Sequence, residues 1–255
     1  MSFSKEKYFM FFIILSLLIL SFITLDLSLF KILKIESFSI FYSFIFEFLK
    51  PNLTNNFLMK IYSLSIETLL MSIVSTFLAS ILAFILILSI SLKSKIQRYL
   101  IQSILNFLRS IPELLWGLIL VISFGLGPIT GTLSLFLHTF GILGKLFLEV
   151  LENNSNKHEQ NLFFPGISEY KVFLYQILPK IFPQLLSFTL YRWENNIRAA
   201  TILGVIGAGG LGQELYFRLS LFHYNEVSSI ILFILIIVFI VDYLSNYLRK
   251  NYTGR

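Results

Sequence analysis

Leu185-Leu-Ser-Phe-Thr-Leu-Tyr-Arg192-Trp-Glu194-Asn195-Asn196-Ile-Arg198-Ala-Ala-Thr-Ile-Leu-Gly-Val-Ile-Gly207-Ala-Gly209-Gly210-Leu-Gly212 is the stretch that decides the fold class. It is apolar enough to enter a bilayer, yet it holds two arginines, an acid and two amides, and a glycine cluster closes it. An ionisable group in hydrocarbon costs roughly 2.5–3.5 kcal/mol on insertion scales, so a segment that keeps several turns them toward a protein interior or a water-filled path.

The rest of the chain agrees. Hydrophobic residues make up 56% and charged residues 13%, about half the charged share of a soluble domain. This is an all-α integral membrane protein. Cysteine is absent, which removes disulfide frameworks and thiolate chemistry. The net charge of +6 forms no basic stripe with interleaved aromatics, so nucleic acid is not a partner. The cations flank hydrophobic spans, where membrane orientation accounts for them.

A helix needs about 20 apolar residues to cross a bilayer, and six candidate spans meet that length: 8–25, 61–92, 101–125, 132–151, 183–206 and 227–247. The first follows Lys5-Glu6-Lys7 and resembles a signal peptide, but no small-residue cleavage site follows, so it reads as an uncleaved span. The Phe-rich run 37–49 is short for a span and is expected to lie along the outer interface. The domain reading is 1–59 for the first span and this segment, 60–250 for the main transmembrane body, and 251–255 for a tail.

In the second span Ser72, Thr76, Ala79 and Ala83 recur at helical spacing, a stripe that lets another helix approach closely. Arg109-Ser110-Ile111-Pro112-Glu113 interrupts the third. Ser110 and Glu113 have capping-box spacing and Pro112 suits a first helical turn, so Glu113 is expected to cap its own helix; the alternative gives it a transport role. With six spans and both termini cytoplasmic, most lysines and arginines fall on the inner side, and 152–181 becomes a cytoplasmic loop.

Gly207-Ala-Gly209-Gly210-Leu-Gly212 fits G-x-G-x-x-G, but a dinucleotide site needs a strand before it. Here a membrane span precedes it, and the glycines are expected to let the backbone break and pack at the span's outer end. No phosphate-binding G-x-x-x-x-G-K-[ST] occurs, so any ATP hydrolysis belongs to another subunit. His138, His158 and His223 lie in separate segments without metal-ligand or triad partners, and neither cofactor nor metal is expected.

Glu194 and Arg198 stand at i,i+4 with the acid first, the favourable order for an ion pair. Arg192 has no evident local partner. Two readings stay open: these groups hold helices together, or Arg192 and Arg198 bias a water-filled path toward anions. In the 152–181 loop, residues 167–177 suit a short amphipathic helix, which either docks another subunit or lies on lipid.

These residues resemble the permease subunits of binding-protein-dependent ABC importers, specifically the phosphonate type. Gly166 with Leu178-Pro179 is similar to the tail of the importer loop pattern, whose Glu-Ala-Ala start is replaced here by Gln160-Asn161-Leu162, with Glu159 one place early and Gln176 in place of the isoleucine. Leu190–Thr201 running into Gly207–Gly212 resembles the phosphonate branch, as do Arg109–Glu113, Gly125–Pro128 and His138–Lys145. The resemblance covers about 60–255. It implies a type I importer permease fold with a cytoplasmic coupling helix, in a bacterial inner membrane. It implies a path for phosphonate or a phosphite-like oxyanion, opened by alternating access. Its implied partners are an ATP-binding subunit gripping the loop at Glu159, Gln160, Gly166, Leu178 and Pro179, a periplasmic or lipid-anchored substrate-binding protein, and a second permease copy. The competing class is a proton-coupled secondary carrier using Glu67, Glu113 or Glu194.

Overall fold

The structure, a computed structural model, describes residues 5–24, 39, 42, 45–90, 95–155 and 169–253. Every helix and turn below belongs to them, and none of them lies in a strand. Expectations for Glu159, Gln160 and Gly166, and for most of 37–49, fall outside the described residues. The chain forms two units, Met1–Leu49 and Lys50–Arg255. In the first, α1 (Lys5–Thr24) is apolar around its circumference, and its residues 7–24 are all exposed.

The second unit is a helical bundle. Its elements are α2 (Asn55–Ile90), α3 (Lys95–Ser110), α4 (Glu113–Phe124), α5 (Pro128–Ser155), α6 (Glu169–Val172), a π-helical segment Phe173–Ile177, α7 (Leu178–Leu203), a 3-10 turn Gly204–Ile206, α8 (Gly210–Ser220) and α9 (Tyr224–Thr253). At 1.5 Å per residue α2 is about 54 Å long, more than a bilayer core requires.

Four helices, α1, α2, α5 and α9, are long and apolar enough to cross a membrane. The expected third span is instead two helices, α3 and α4, bent by 87°. Pro112 sits at the bend with φ −54° and ψ 147°; its ring removes one backbone donor, and the residue before it is pushed out of the helical region. The expected fifth span is α7. Its polar residues leave it less apolar than the other crossings, so length and composition alone do not mark it as a span.

Three apolar clusters hold the bundle. One joins Ala79, Ala83 and Ile87 of α2 to Leu105, Leu143, Leu148, Phe173 and Ile181. A second joins Phe57 and Ile61 to Ile197, Leu211, Ile230 and Ile237. The third joins Leu135 to Ala199, Leu203 and Ala208. The small-residue stripe of α2 is buried, with Ser72, Ala79 and Ala83 fully so, and it carries α2 against α5 and α7 as its spacing predicts. Gly141 and Gly144 do the same for α3: a Cβ on Gly141 would lie 2.7 Å from the Arg109 nitrogen, and one on Gly144 2.6 Å from Leu105.

Side-chain pairs sort the helix ends. At one end lie the start of α2, the glycine turn, α8 and the start of α9, joined by Lys60 to Glu214 (2.7 Å) and Asn52 to Glu226 (3.5 Å). At the other lie the end of α2, α3, the end of α5 and the start of α7, with Gln102 donating to Glu152 at 3.0 Å.

Candidate functional site

The polar run of α7 divides between two clusters on different sides of the helix. Residues 192 and 196 are four apart and share a face; 194 and 198 share another.

The first cluster faces α2 and α5. Asn196 is fully buried. Its Nδ2 donates to Thr76 Oγ1 (2.8 Å) and Thr139 Oγ1 (2.9 Å), and the Thr139 hydroxyl lies 3.1 Å from Asn196 Oδ1. Arg192 Nε donates to Thr139 Oγ1 at 3.3 Å. One helical turn away, Trp193 Nε1 donates to Ser72 Oγ at 3.3 Å. A buried amide costs little when its donors and acceptors are satisfied, and two threonines on separate helices satisfy this one.

Beside it stands a His–Glu pair. His138 Nε2 lies 3.2 Å from Glu113 Oε2, and His138 Nδ1 is 2.8 Å from the Ile111 carbonyl. Glu113 therefore does not cap its own helix: no side chain caps α4, and the Ser110 hydroxyl donates back to Asn106 O at 2.6 Å. The expected capping box fails because Ser110 is still helical, at the end of α3, and cannot reach forward across the bend. Glu113 is close enough for its charge to act on Arg192.

The second cluster faces α9. Arg198 Nη2 lies 2.6 Å from Asp242 Oδ2 and 3.3 Å from Glu194 Oε1, and Arg249 Nη2 lies 3.4 Å from Glu194 Oε2. The i,i+4 pair read from the sequence is present, but Asp242 is the nearer partner of Arg198. The Arg198 side chain keeps 43% of its surface exposed, so this cluster opens onto the surface of the chain. Asn195 joins neither cluster; its amide donates to Tyr191 O at 2.8 Å.

The glycine turn closes α7. Gly207, Gly209 and Gly210 have φ of 84°, 86° and 69°, the left-handed region that glycine enters without a Cβ clash. Gly212 answers a different need: a Cβ there would lie 1.8 Å from the Thr201 carbonyl oxygen. The turn aims the first amides of α8 at α2, where Gly210 N–H donates to Glu67 Oε1 (2.7 Å) and Leu211 N–H to Thr68 Oγ1 (2.9 Å). Glu67 and Thr68 thus each satisfy one free donor at the positive end of a helix.

The coupling region is described in part. Leu178 and Pro179 begin α7, where proline needs no helical donor. Phe173 is buried in the first apolar cluster, while Tyr175 and Phe182 are 78% and 52% exposed.

Sequence reasoning missed Thr76, Thr139, Asp242 and Arg249 as partners, and paired neither Glu113 nor His138 correctly. Asp242 had a signal: an acid in the middle of an otherwise apolar span.

Among known proteins, the profile of the family described as "Binding-protein-dependent transport system inner membrane component" matches residues 75–254. The phosphite transport system permease protein PtxC of Stutzerimonas stutzeri is 37% identical over 191 residues, 73% of this chain and 69% of that protein. The putative cryptic phosphonate transport system permease protein PhnE2 of Escherichia coli strain K12 is 36% identical over 120 residues, 47% of this chain and 98% of that protein. In a solved structure of the MetNI methionine ABC transporter in an inward-facing conformation, one chain superposes with a TM-score of 0.67 at 16% identity, covering 79% of this chain and 100% of that one. At that identity the shared property is the fold.

Proposed function

The chain belongs to the family of binding-protein-dependent transport system inner membrane components, and from that premise we propose that it forms the membrane path of an ATP-driven importer for phosphite or a phosphonate. The observation that carries the substrate class is the likeness to the phosphite permease over 191 residues. Arg192 and Arg198 suit this reading: both are cations on the polar helix, and Arg198 is exposed enough to act on an anion passing along the chain surface.

ATP hydrolysis belongs to a separate subunit that grips the 152–181 segment. Glu159, Gln160, Gly166, Leu178 and Pro179 belong to that grip, and the exposed Tyr175 beside the buried Phe173 suits it. An outer binding protein delivers the anion, and a second copy of the chain completes the path. Both termini face the cytoplasm. Among the described residues, Arg98, Lys171, Lys180, Arg249 and Lys250 lie toward one end of the bundle, against Lys50, Lys60 and Arg218 toward the other, and the richer end belongs inside.

The test is uptake of phosphite and of methylphosphonate into proteoliposomes holding the permease with its ATPase and binding protein. The expected result is uptake that requires ATP and survives dissipation of the proton gradient. Uptake driven by the gradient without ATP would establish the secondary carrier instead.

A further inference from the structure

The His138–Glu113 pair lies outside the transport reading, and its hydrogen bonds fix where a proton must be. The Ile111 carbonyl can only accept, so His138 Nδ1, 2.8 Å away, carries a hydrogen. The second ring nitrogen faces Glu113 Oε2 at 3.2 Å. Two arrangements satisfy that contact: imidazolium donating to carboxylate, or a protonated carboxyl donating to neutral imidazole. Each holds one proton between Nε2 and Oε2. Without it, two lone pairs face each other between a His138 side chain 11% exposed and a Glu113 side chain 30% exposed, and the contact loses its bond.

The pair sits at the sharpest bend of the bundle. Ile111 and Pro112 join α3 to α4 at 87°, and His138 of α5 holds the residues on both sides of Pro112. Ser134 of α5 also donates to the Glu113 carbonyl. On the inside of the bend, Trp116 Nε1 donates to the Leu108 carbonyl at 3.1 Å, stitching α4 back onto α3.

We infer that His138 and Glu113 share one proton that latches the α3–α4 bend onto α5, so that the bend loosens when the proton leaves. His138 is a positioning residue: it acts through the backbone at Ile111 and the first turn of α4. The charged and titratable groups around it are few. α4 contributes Glu113. α7 contributes Arg192, whose charge acts on both His138 and Glu113, with Tyr191 adjacent to it. α2 contributes only the neutral Thr76, through Asn196. α3 ends in Arg109, whose main chain packs on Gly141. Arg192 stands close enough to both members of the pair for the three groups to act on one proton together.

The direction follows from the proton count. The latch is closed at low pH and opens as pH rises through the pair's titration. Glu113→Gln provides the decisive contrast, because its amide donates to neutral Nε2 or accepts from a protonated one through its oxygen, and so keeps the contact in either state.

The experiment uses the full permease with its ATPase subunit, carrying Trp193→Phe so that Trp116 is the sole tryptophan of the permease, and follows the change in Trp116 fluorescence caused by assembly across about pH 5–9. The expected result is a single titration of the Trp116 signal, lost in Glu113→Gln, whose spectrum stays in the low-pH form throughout. The pH profile of uptake, normalised to ATPase rate, should flatten in the same variant. A flat signal in the unsubstituted pair, or an unchanged titration in Glu113→Gln, overturns the proposal. Should Glu113→Gln not reach the membrane, His138→Gln replaces it and must abolish the titration equally. The fluorescence reading needs no substrate, so it stands whatever anion the protein carries.

Discussion

Arg198 on α7 and Asp242 on α9 meet at 2.6 Å, 44 residues apart in sequence, with Glu194 and Arg249 completing the cluster. Asp242 and Glu194 hold the guanidinium at the edge of α7 while leaving 43% of its side chain exposed. An exposed ion pair contributes about 1 kcal/mol or less, so this cluster matters more for where it places a cation than for stability.

Arg198→Ala is accordingly expected to abolish growth on phosphite or phosphonate as sole phosphorus source while membrane abundance stays normal. Asp242→Asn, which keeps the cation and a hydrogen-bond acceptor, should retain part of the uptake. Uptake assays with quantitative membrane blots check both. Near-normal uptake in Arg198→Ala would remove Arg198 from the path.

Asn196 is expected to behave as a structural residue. Asn196→Leu removes the acceptor of the Thr139 hydroxyl in a buried place, while Thr76 loses a donor but keeps its bond to the Ser72 carbonyl; the loss is about 1–3 kcal/mol. The double variant Asn196→Leu/Thr139→Val should cost less than the sum of its parts, because both groups belong to one hydrogen-bonded set. Unfolding in detergent, followed by heat or denaturant, measures the coupling, and strict additivity would contradict the network.

Gly212→Ala is expected to destabilise by about 4 kcal/mol or more, since its Cβ meets backbone on both Thr201 and Gly204, which has no side-chain rotamer by which to yield. Gly125→Ala faces open space but has φ 85° and ψ 179°, a backbone region essentially restricted to glycine, and should cost about 1–3 kcal/mol of strain. Fluorescence-detected size exclusion of the two variants gives the comparison, and equal behaviour would argue against close packing at the turn.

Glu214 lies on α8, outside the spanning helices. Burial alone would raise its carboxyl, but hydrogen bonds and charges from Lys60 and Arg218 outweigh burial and hold it below the usual glutamate value. A depressed carboxyl contributes stability that is present above its unfolded value, 4.5, and is lost as pH falls through the lower folded value. Acidifying from neutral should therefore lower the melting temperature progressively below about pH 5. Glu214→Gln should show less of that loss, and an identical acid limb in the variant would contradict the assignment.

Much of this architecture was legible in the chain. The polar run 192–198 announced itself because charge in an apolar helix must have a destination. The Ser72–Ala83 stripe pointed to a close helix contact because small side chains at helical period let another helix approach. The Glu194–Arg198 pair follows from helical spacing alone. Where the reading failed, at Ser110 and Glu113, a local pattern competed with a tertiary one: capping needs an extended residue at the cap, and the serine was held in the preceding helix.

By itself the sequence determined that the protein is a bundle of membrane helices, which of those helices is polar, and where its backbone must turn on glycine, because hydropathy, helical period and the missing Cβ act over a few neighbouring residues. The tertiary structure alone decided that Arg192 and Arg198 part toward different helices, that Asp242 and Thr139 receive them, and that Glu113 turns to His138. Those outcomes depend on which helix faces reach within about 3 Å of each other, and packing sets that distance between residues 25 to 120 positions apart.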